Sequence, residues 1–243
     1  MFYLSALKRL LPGVIFTLNQ ERSRIEDVEM TIDQVYRESF PVGPLGCNCT
    51  IIGDRTTGKA IIVDPGGDAK VIMEKLRGQG LTLARIIHTH AHFDHFLASG
   101  ELKKSLGCSL ALHKADFPLW QNLEAQCSMF GMPYNPVPDP DEWLNDDEDL
   151  SFLGGMCMHT PGHSPGSMSF WFESQKLLIA GDTLFKGSVG RTDLWGGDAG
   201  TLRRSIKERI YTLDETATVV TGHGPETNIG EEMRANPFVS GLN

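Results

Sequence analysis

Long hydrophobic runs are missing from this 243-residue sequence. No apolar stretch approaches the roughly 20 residues that a helix needs to cross a bilayer, so no membrane partner is expected. Basic clusters are scarce as well. Lys and Arg number 22 against 31 Asp and Glu, a formal net charge of −9. No dense Lys/Arg run offsets that field, so nucleic acid is not expected as a substrate or partner. Cysteine is sparse and unpatterned. The five residues, Cys47, Cys49, Cys108, Cys127 and Cys157, form no C-x-x-C. An odd, scattered set argues against a disulfide framework and against a thiolate zinc knuckle. It fits a reducing compartment, and a cytoplasmic location is the expectation. Cys47 and Cys49 flank Asn48 at the start of a predicted strand and read as packed small hydrophobes.

What is present is ordinary for a globular enzyme. Hydrophobic residues make up 40% and charged residues 22%, and the length suits one large domain with a substantial core. The first twenty residues, MFYLSALKRLLPGVIFTLNQ, are apolar but interrupted by Lys8, Arg9 and Pro12-Gly13. No clear small-residue cleavage pattern follows. Residues 1–29 therefore read as an extension, of the kind an upstream start codon adds, and residues 30–243 as the domain proper.

From Val35 onward, short strands give way to strands alternating with helices. Val35 to Phe40, Thr50 to Gly53 and Ala60 to Asp64 read as strands, the last stopped by Pro65-Gly66-Gly67. Asp68 is the expected N-cap of a helix through Gln79. Leu83 to Ile87 is a further buried strand, Phe96 to Leu106 a helix closed by Gly107, and Ser109 to Leu112 a strand. Phe130 to Trp143, rich in Pro and Asp, reads as a long surface loop and a candidate lid or rim. Strands are expected at Met156 to His159, Met168 to Phe172, Leu177 to Ala180 and Thr218 to Val220. Helices are expected at Thr201 to Ile210 and after Asn228. The halves lack a residue-level repeat but share one plan, which predicts two sheets between outer helices: an α/β protein built as a four-layer α/β/β/α sandwich.

The densest chemistry lies in His88-Thr89-His90-Ala91-His92-Phe93-Asp94-His95, directly after an apolar strand. Imidazoles and carboxylates are the donors that borderline divalent metals such as zinc prefer. A loop leaving a strand end can aim His90, His92 and Asp94 at one point despite their i, i+2, i+4 spacing. His95 is placed to turn toward a second ion. Three later turns each follow a predicted strand and each offer one more donor: Pro161-Gly162-His163-Ser164-Pro165-Gly166, Gly181-Asp182-Thr183 and Thr221-Gly222-His223-Gly224-Pro225. Their glycines allow the backbone to approach a crowded centre. Any one of these is an ordinary polar turn; together and in this order they point to a metal site. His88, His113 and His159 carry no such motif and read as structural.

The order T-H-x-H-x-D-H, P-G-H-S-P-G, G-D-T-L-F and G-H-G-P resembles the metallo-β-lactamase superfamily from Tyr36 to the end of the chain. Val63 to Asp68, Phe185 to Asp193 and Asn236-Pro237-Phe238 are similar to its short bacterial glyoxalase-II-like (hydroxyacylglutathione hydrolase-like) branch. The resemblance implies a first metal on His90, His92 and His163, a second on Asp94, His95 and His223, and Asp182 bridging both. It implies two divalent ions, zinc in first place with iron or manganese as alternatives. Ions about 3.5–4 Å apart can hold a hydroxide between them. Asp94 and Asp182 are then the catalytic carboxylates, with Asp94 orienting the hydroxide or relaying its proton.

Among relatives of that fold, zinc β-lactamases typically place cysteine where this chain has Asp182, which disfavours penicillin as the main substrate. Thioester hydrolysis is the favoured activity, with S-lactoylglutathione, a glutathione-containing small molecule, as the reference substrate. The resemblance implies for Arg191 the role of the cation that glutathione-using glyoxalase II enzymes place for the substrate carboxylate, with a loop salt bridge as the equal alternative. Asp193 stands where an aromatic is usual. The chain also ends about twenty residues after His223, without room for a C-terminal glutathione-gripping domain. A mononuclear-iron persulfide dioxygenase is the main rival, with a lactonase or a non-catalytic metal-binding protein behind it.

Overall fold

The computed structural model describes residues 34–240, so the expected extension over 1–29 lies outside the described residues. Strands β1 (Val35–Val42), β2 (Cys47–Asp54), β3 (Lys59–Val63), β4 (Thr82–Ile87), β5 (Ser109–His113) and β6 (Glu142–Leu144) form one sheet in that order. Its first pairs are antiparallel, and β3 to β6 run parallel. The second sheet has the order β13 (Thr227–Asn228), β12 (Thr218–Thr221), β9 (Leu177–Gly181), β8 (Met168–Phe172) and β7 (Gly155–His159). There β12 and β9 are parallel and the remaining pairs antiparallel. A two-stranded ribbon, β10 (Leu184–Phe185) and β11 (Ser188–Val189), projects beside it.

Period-two alternation explains the layering. On β3, Ile62 packs outward while Ile61 and Val63 face the other sheet. On β4, Ile86 faces out and Ile87 in; on β5, Leu110 and Leu112 face out and Ala111 in. The outward residues meet Ile72 and Leu76 of helix α1 (Ala69–Gly78) and Leu102 of α2 (Ser99–Leu106). Trp120 of α3 (Phe117–Gln121) and Leu123 and Cys127 of α4 (Leu123–Met129) close that layer. The inward residues meet Phe170, Phe172, Ile179 and Val220 of the second sheet. On that sheet's far side, Met158, Leu178 and Val219 pack on Leu202 and Ile206 of α5 (Ala199–Glu208), with Ile229 of α6 (Ile229–Ala235). The four layers are therefore helix, sheet, sheet, helix, as the pattern predicts.

Three local readings need correction. Asp68 precedes α1 but makes no side-chain cap; it has a left-handed φ of 53°, and its Oδ2 accepts the Gly43 amide at 2.8 Å. The helix expected from Phe96 begins only at Ser99, because Phe93–His95 closes a 3-10 turn and the Ala98 amide is committed to the Pro65 carbonyl. Of the lid or rim expected at Phe130 to Trp143, the structure shows a rim contact at its first residue alone. Met132 and Val137 pack onto the α1/α2 core, and only the loop's first residue, Phe130, lines the main cavity.

Candidate metal centre

Both sheets open toward one edge, and the ligand-type side chains leave their strand ends there. The stretch after β4 supplies His90, His92, Asp94 and His95. The turns after β7, β9 and β12 supply His163, Asp182 and His223. The donor atoms of His90, His92 and His163 lie within 4.8 Å of one another, and so do those of Asp94, His95 and His223, and of His90, His95 and Asp182. The structure thus brings all seven of these residues to one place.

The imidazoles are oriented by what their far nitrogens touch. His163 Nδ1 lies 2.7 Å from the Arg191 carbonyl and His223 Nδ1 3.2 Å from the Leu45 carbonyl. A carbonyl only accepts, so both Nδ1 atoms donate, and in the neutral ring Nε2 is then the nitrogen left to bind an ion. His95 Nδ1 donates to Asp64 Oδ2 at 2.9 Å. The Thr89 hydroxyl donates to Asp64 Oδ2 at 2.5 Å, so its oxygen accepts from His90 Nδ1 at 3.0 Å. Four Nε2 atoms are thereby aimed inward, joined by His92 Nδ1, which lies 2.8 Å from His163 Nε2.

His163 Nε2 and His90 Nε2 sit 3.2 Å apart, which is repulsive between two neutral rings unless a cation is shared, and His95 Nε2 lies 3.3 Å from His223 Nε2. The Asp182 carboxylate stands between the groups. Its Oδ2 is 3.5 Å from His163 Nε2, while its Oδ1 is 3.5 Å from His95 Nε2 and 3.9 Å from His223 Nε2. Oδ1 is buried without a hydrogen-bond partner. Asp94 Oδ2 lies 3.1 Å from His223 Nε2 and 3.8 Å from His95 Nε2. An orphaned carboxylate oxygen among inward-facing imidazole nitrogens fits divalent cations with N and O ligands.

The electrostatics make the same demand. Burial, reinforced by the neighbouring imidazoles, holds His90 far below its ordinary pKa and His92 at about 3. Burial opposes charge on His95 too, yet the Cys47 sulfur and the carboxylates of Asp182, Asp94 and Asp64 lift it well above the usual range. Burial also disfavours the Asp94 carboxylate, but His95 and His223 outweigh it and keep the group ionised. The anions draw positive charge into the centre, and a metal ion would answer that pull.

Several supporting residues have no signature in the sequence. Asp116 is buried and accepts from the Ala91 amide (2.9 Å), the Ser164 hydroxyl (2.7 Å) and the Gly166 amide (2.6 Å), tying the first histidine loop to the loop of His163. The Asn48 side chain donates to the carbonyls of Thr221 and Gly224, both at 2.9 Å, and so fixes the turn carrying His223. Cys47 is more than packing: its sulfur is 3.4 Å from His95 Nδ1, and it can group with Asp64 and His95. His88 is buried against Trp120 and bonded to Ser99 and the Ala111 carbonyl, while His113 and His159 stack at 4.2 Å.

A cavity of about 350 Å³ opens over the cluster, with His92, Asp94, His163, Asp182 and His223 in its floor. Arg191 reaches its wall, with one edge of its guanidinium engaged: Nε lies 2.7 Å from Asp193 Oδ1 and Nη2 2.8 Å from Asp193 Oδ2.

The family described as the metallo-beta-lactamase superfamily matches residues 42–223. The chain is 36% identical over 207 residues to a Haemophilus influenzae protein named hydroxyacylglutathione hydrolase GloC, covering 84% of this chain and 97% of that one. Among solved structures, the B3 metallo-beta-lactamase BLEG-1 superposes with a TM-score of 0.79 at 36% identity, over 84% of this chain and all (100%) of that one. TTHA1623 in a di-iron-bound form gives 0.77 at 33% identity, over 83% and 99%.

Proposed function

Because the chain belongs to the metallo-beta-lactamase superfamily, we propose that it is a dinuclear metal-dependent hydrolase that cleaves a thioester of the S-lactoylglutathione type. In this reading His90, His92 and His163 hold one divalent ion, Asp94, His95 and His223 a second, and Asp182 contributes an oxygen to each. Zinc is the first candidate on donor chemistry. Iron is a concrete alternative, given the di-iron form of TTHA1623. The observation that carries the proposal is the placement of the two Asp182 oxygens, each 3.5 Å from a histidine of a different group.

Bound divalent ions supply Lewis acidity for a carbonyl oxygen and bring the pKa of a water molecule toward ~7. The chain's own residues do the rest. Asp94 is kept ionised and offers Oδ2 as the proton acceptor nearest His223. The outer partners of the histidines, Asp64, Thr89, Leu45 and Arg191, hold each ring so that it need not reorganise during the reaction. A thiolate leaves without a strong acid, which suits a site whose imidazoles have their inner nitrogens committed.

The likeness to BLEG-1 favours a second reading, in which the same site opens the strained amide of a β-lactam ring. One preparation decides among these. Metal analysis is expected to return about two ions per chain, with steady loss of S-lactoylglutathione absorbance and no oxygen uptake on glutathione persulfide. Hydrolysis of a chromogenic cephalosporin in preference to any thioester would transfer the assignment to the lactam. One iron per chain with oxygen uptake would replace hydrolysis by persulfide oxidation.

A further inference from the structure

The walls of the cavity differ sharply from its floor. On one side stand Met129 and Phe130, where α4 ends, with Phe130 tilted against Phe93 at 4.9 Å between ring centroids. On the other stand Leu194 and Trp195, from the loop that follows Arg191. Met129 is 75% exposed and Trp195 59%, a large apolar surface to leave in water beside a polar centre. A second hollow of about 230 Å³ shares Leu119, Gln126, Met129 and Trp195 with the first and adds Pro118, Asn122 and Ala125. The two form one apolar groove leading away from the metal ligands, and the larger alone falls within the usual size of a small-molecule site.

Charge along this groove is as informative as its shape. Among the described residues lining the cavity, Arg191 is the single Lys or Arg. Its Nε/Nη2 edge is occupied by Asp193, two residues away on the same loop, through two parallel hydrogen bonds of 2.7 and 2.8 Å. A bidentate pair of this kind uses the geometry with which arginine grips a carboxylate. A substrate carboxylate could reach only the remaining Nη1 edge, and there it would meet a cation whose charge a tethered carboxylate already offsets. An uncharged apolar arm meets no such obstacle.

We propose that the preferred substrate carries an uncharged aliphatic or aryl arm, seated between Met129–Phe130 and Leu194–Trp195, and that Asp193 sets this preference by occupying Arg191. The proposal rests on the thioesterase reading for its chemistry but names a substrate class away from glutathione conjugates.

The test uses the metal-loaded chain and neutral N-acetylcysteamine thioesters from acetyl to octanoyl, against S-lactoylglutathione. Up to roughly fourfold in kcat/KM is available per fully buried methylene, so hexanoyl is expected to exceed acetyl by at least about tenfold, chiefly through KM. Trp195→Ala is expected to flatten that gain per methylene. Asp193→Ala is expected to shift the ratio of S-lactoylglutathione to hexanoyl turnover toward the glutathione conjugate by about fivefold or more, again through KM. Calorimetry with non-hydrolysable S-methyl and S-hexyl N-acetylcysteamine thioethers reads the groove without turnover, and the hexyl compound is expected to bind at least about tenfold tighter. Tight hexyl binding with no thioester hydrolysed would sink the thioesterase reading and leave the groove assignment standing. Chain-length-independent kinetics and binding, or an unchanged substrate ratio in Asp193→Ala, would overturn the proposal.

Discussion

Asp116 touches none of the seven proposed ligands, and yet three donors from two loops end on its carboxylate. Burial raises its pKa while those hydrogen bonds pull it back, the balance of a carboxylate retained for structure. In Asp116→Asn an amide group must face donors, so one N–H is left opposite another and the loops part. The expected cost is on the order of 3 kcal/mol in urea unfolding. Metal affinity, read by competition with a chromogenic chelator, is expected to fall about 10–100-fold. Wild-type resistance to the chelator would show that the two loops do not depend on this link. Asp116 is illegible in the sequence because His113-Lys114-Ala115-Asp116 carries no spacing or motif; its role exists only once the end of β5 reaches the loop of His163. The ligands themselves are legible, because four of them crowd into Thr89-His90-Ala91-His92-Phe93-Asp94-His95.

At the scale of elements, the turns at the strand ends are packed more tightly than any side chain permits. A Cβ on Gly222, just past β12, would fall 1.9 Å from Asp182 Oδ1. On Gly66, after β3, it would fall 1.8 Å from the Asp94 carbonyl. Gly222→Ala is therefore expected to push the Asp182 carboxylate aside and lose at least one ion, with the far-ultraviolet circular dichroism little changed. Full metal content in that variant would mean that Asp182 need not sit where it does. Strands were legible because β-branched runs such as Ala60-Ile61-Ile62-Val63 end at glycine and proline. Helices α3 and α4 were not. Asn122 divides that stretch into pieces of 5 and 7 residues, too short for a clear 3.6 period, and tertiary packing of Leu119, Trp120, Leu123 and Cys127 holds them.

Across the whole molecule, the proposed ligands are shared between the two sheets. His90, His92, Asp94 and His95 hang from the first, and His163, Asp182 and His223 from the second. Ions in this position would clamp the layers together at their open edge. Removal of metal by a chelator is thus expected to lower the melting temperature, and added zinc to restore it in proportion to the logarithm of free zinc. The gain reaches about 2.7 kcal/mol at a hundredfold excess over Kd. Calorimetric scans that coincide with and without chelator would exclude such a clamp. The layer plan could be read from alternating strands, whereas the order β13-β12-β9-β8-β7 could not, since it joins residues remote in the chain.

The carbonyls of Leu45 and Arg191 that steady His223 and His163 belong to the main chain. Every amino acid brings that same oxygen, so the rim can exchange its side chains without loosening the rings beneath. Selection can then rewrite which molecules are admitted while the catalytic floor keeps its alignment.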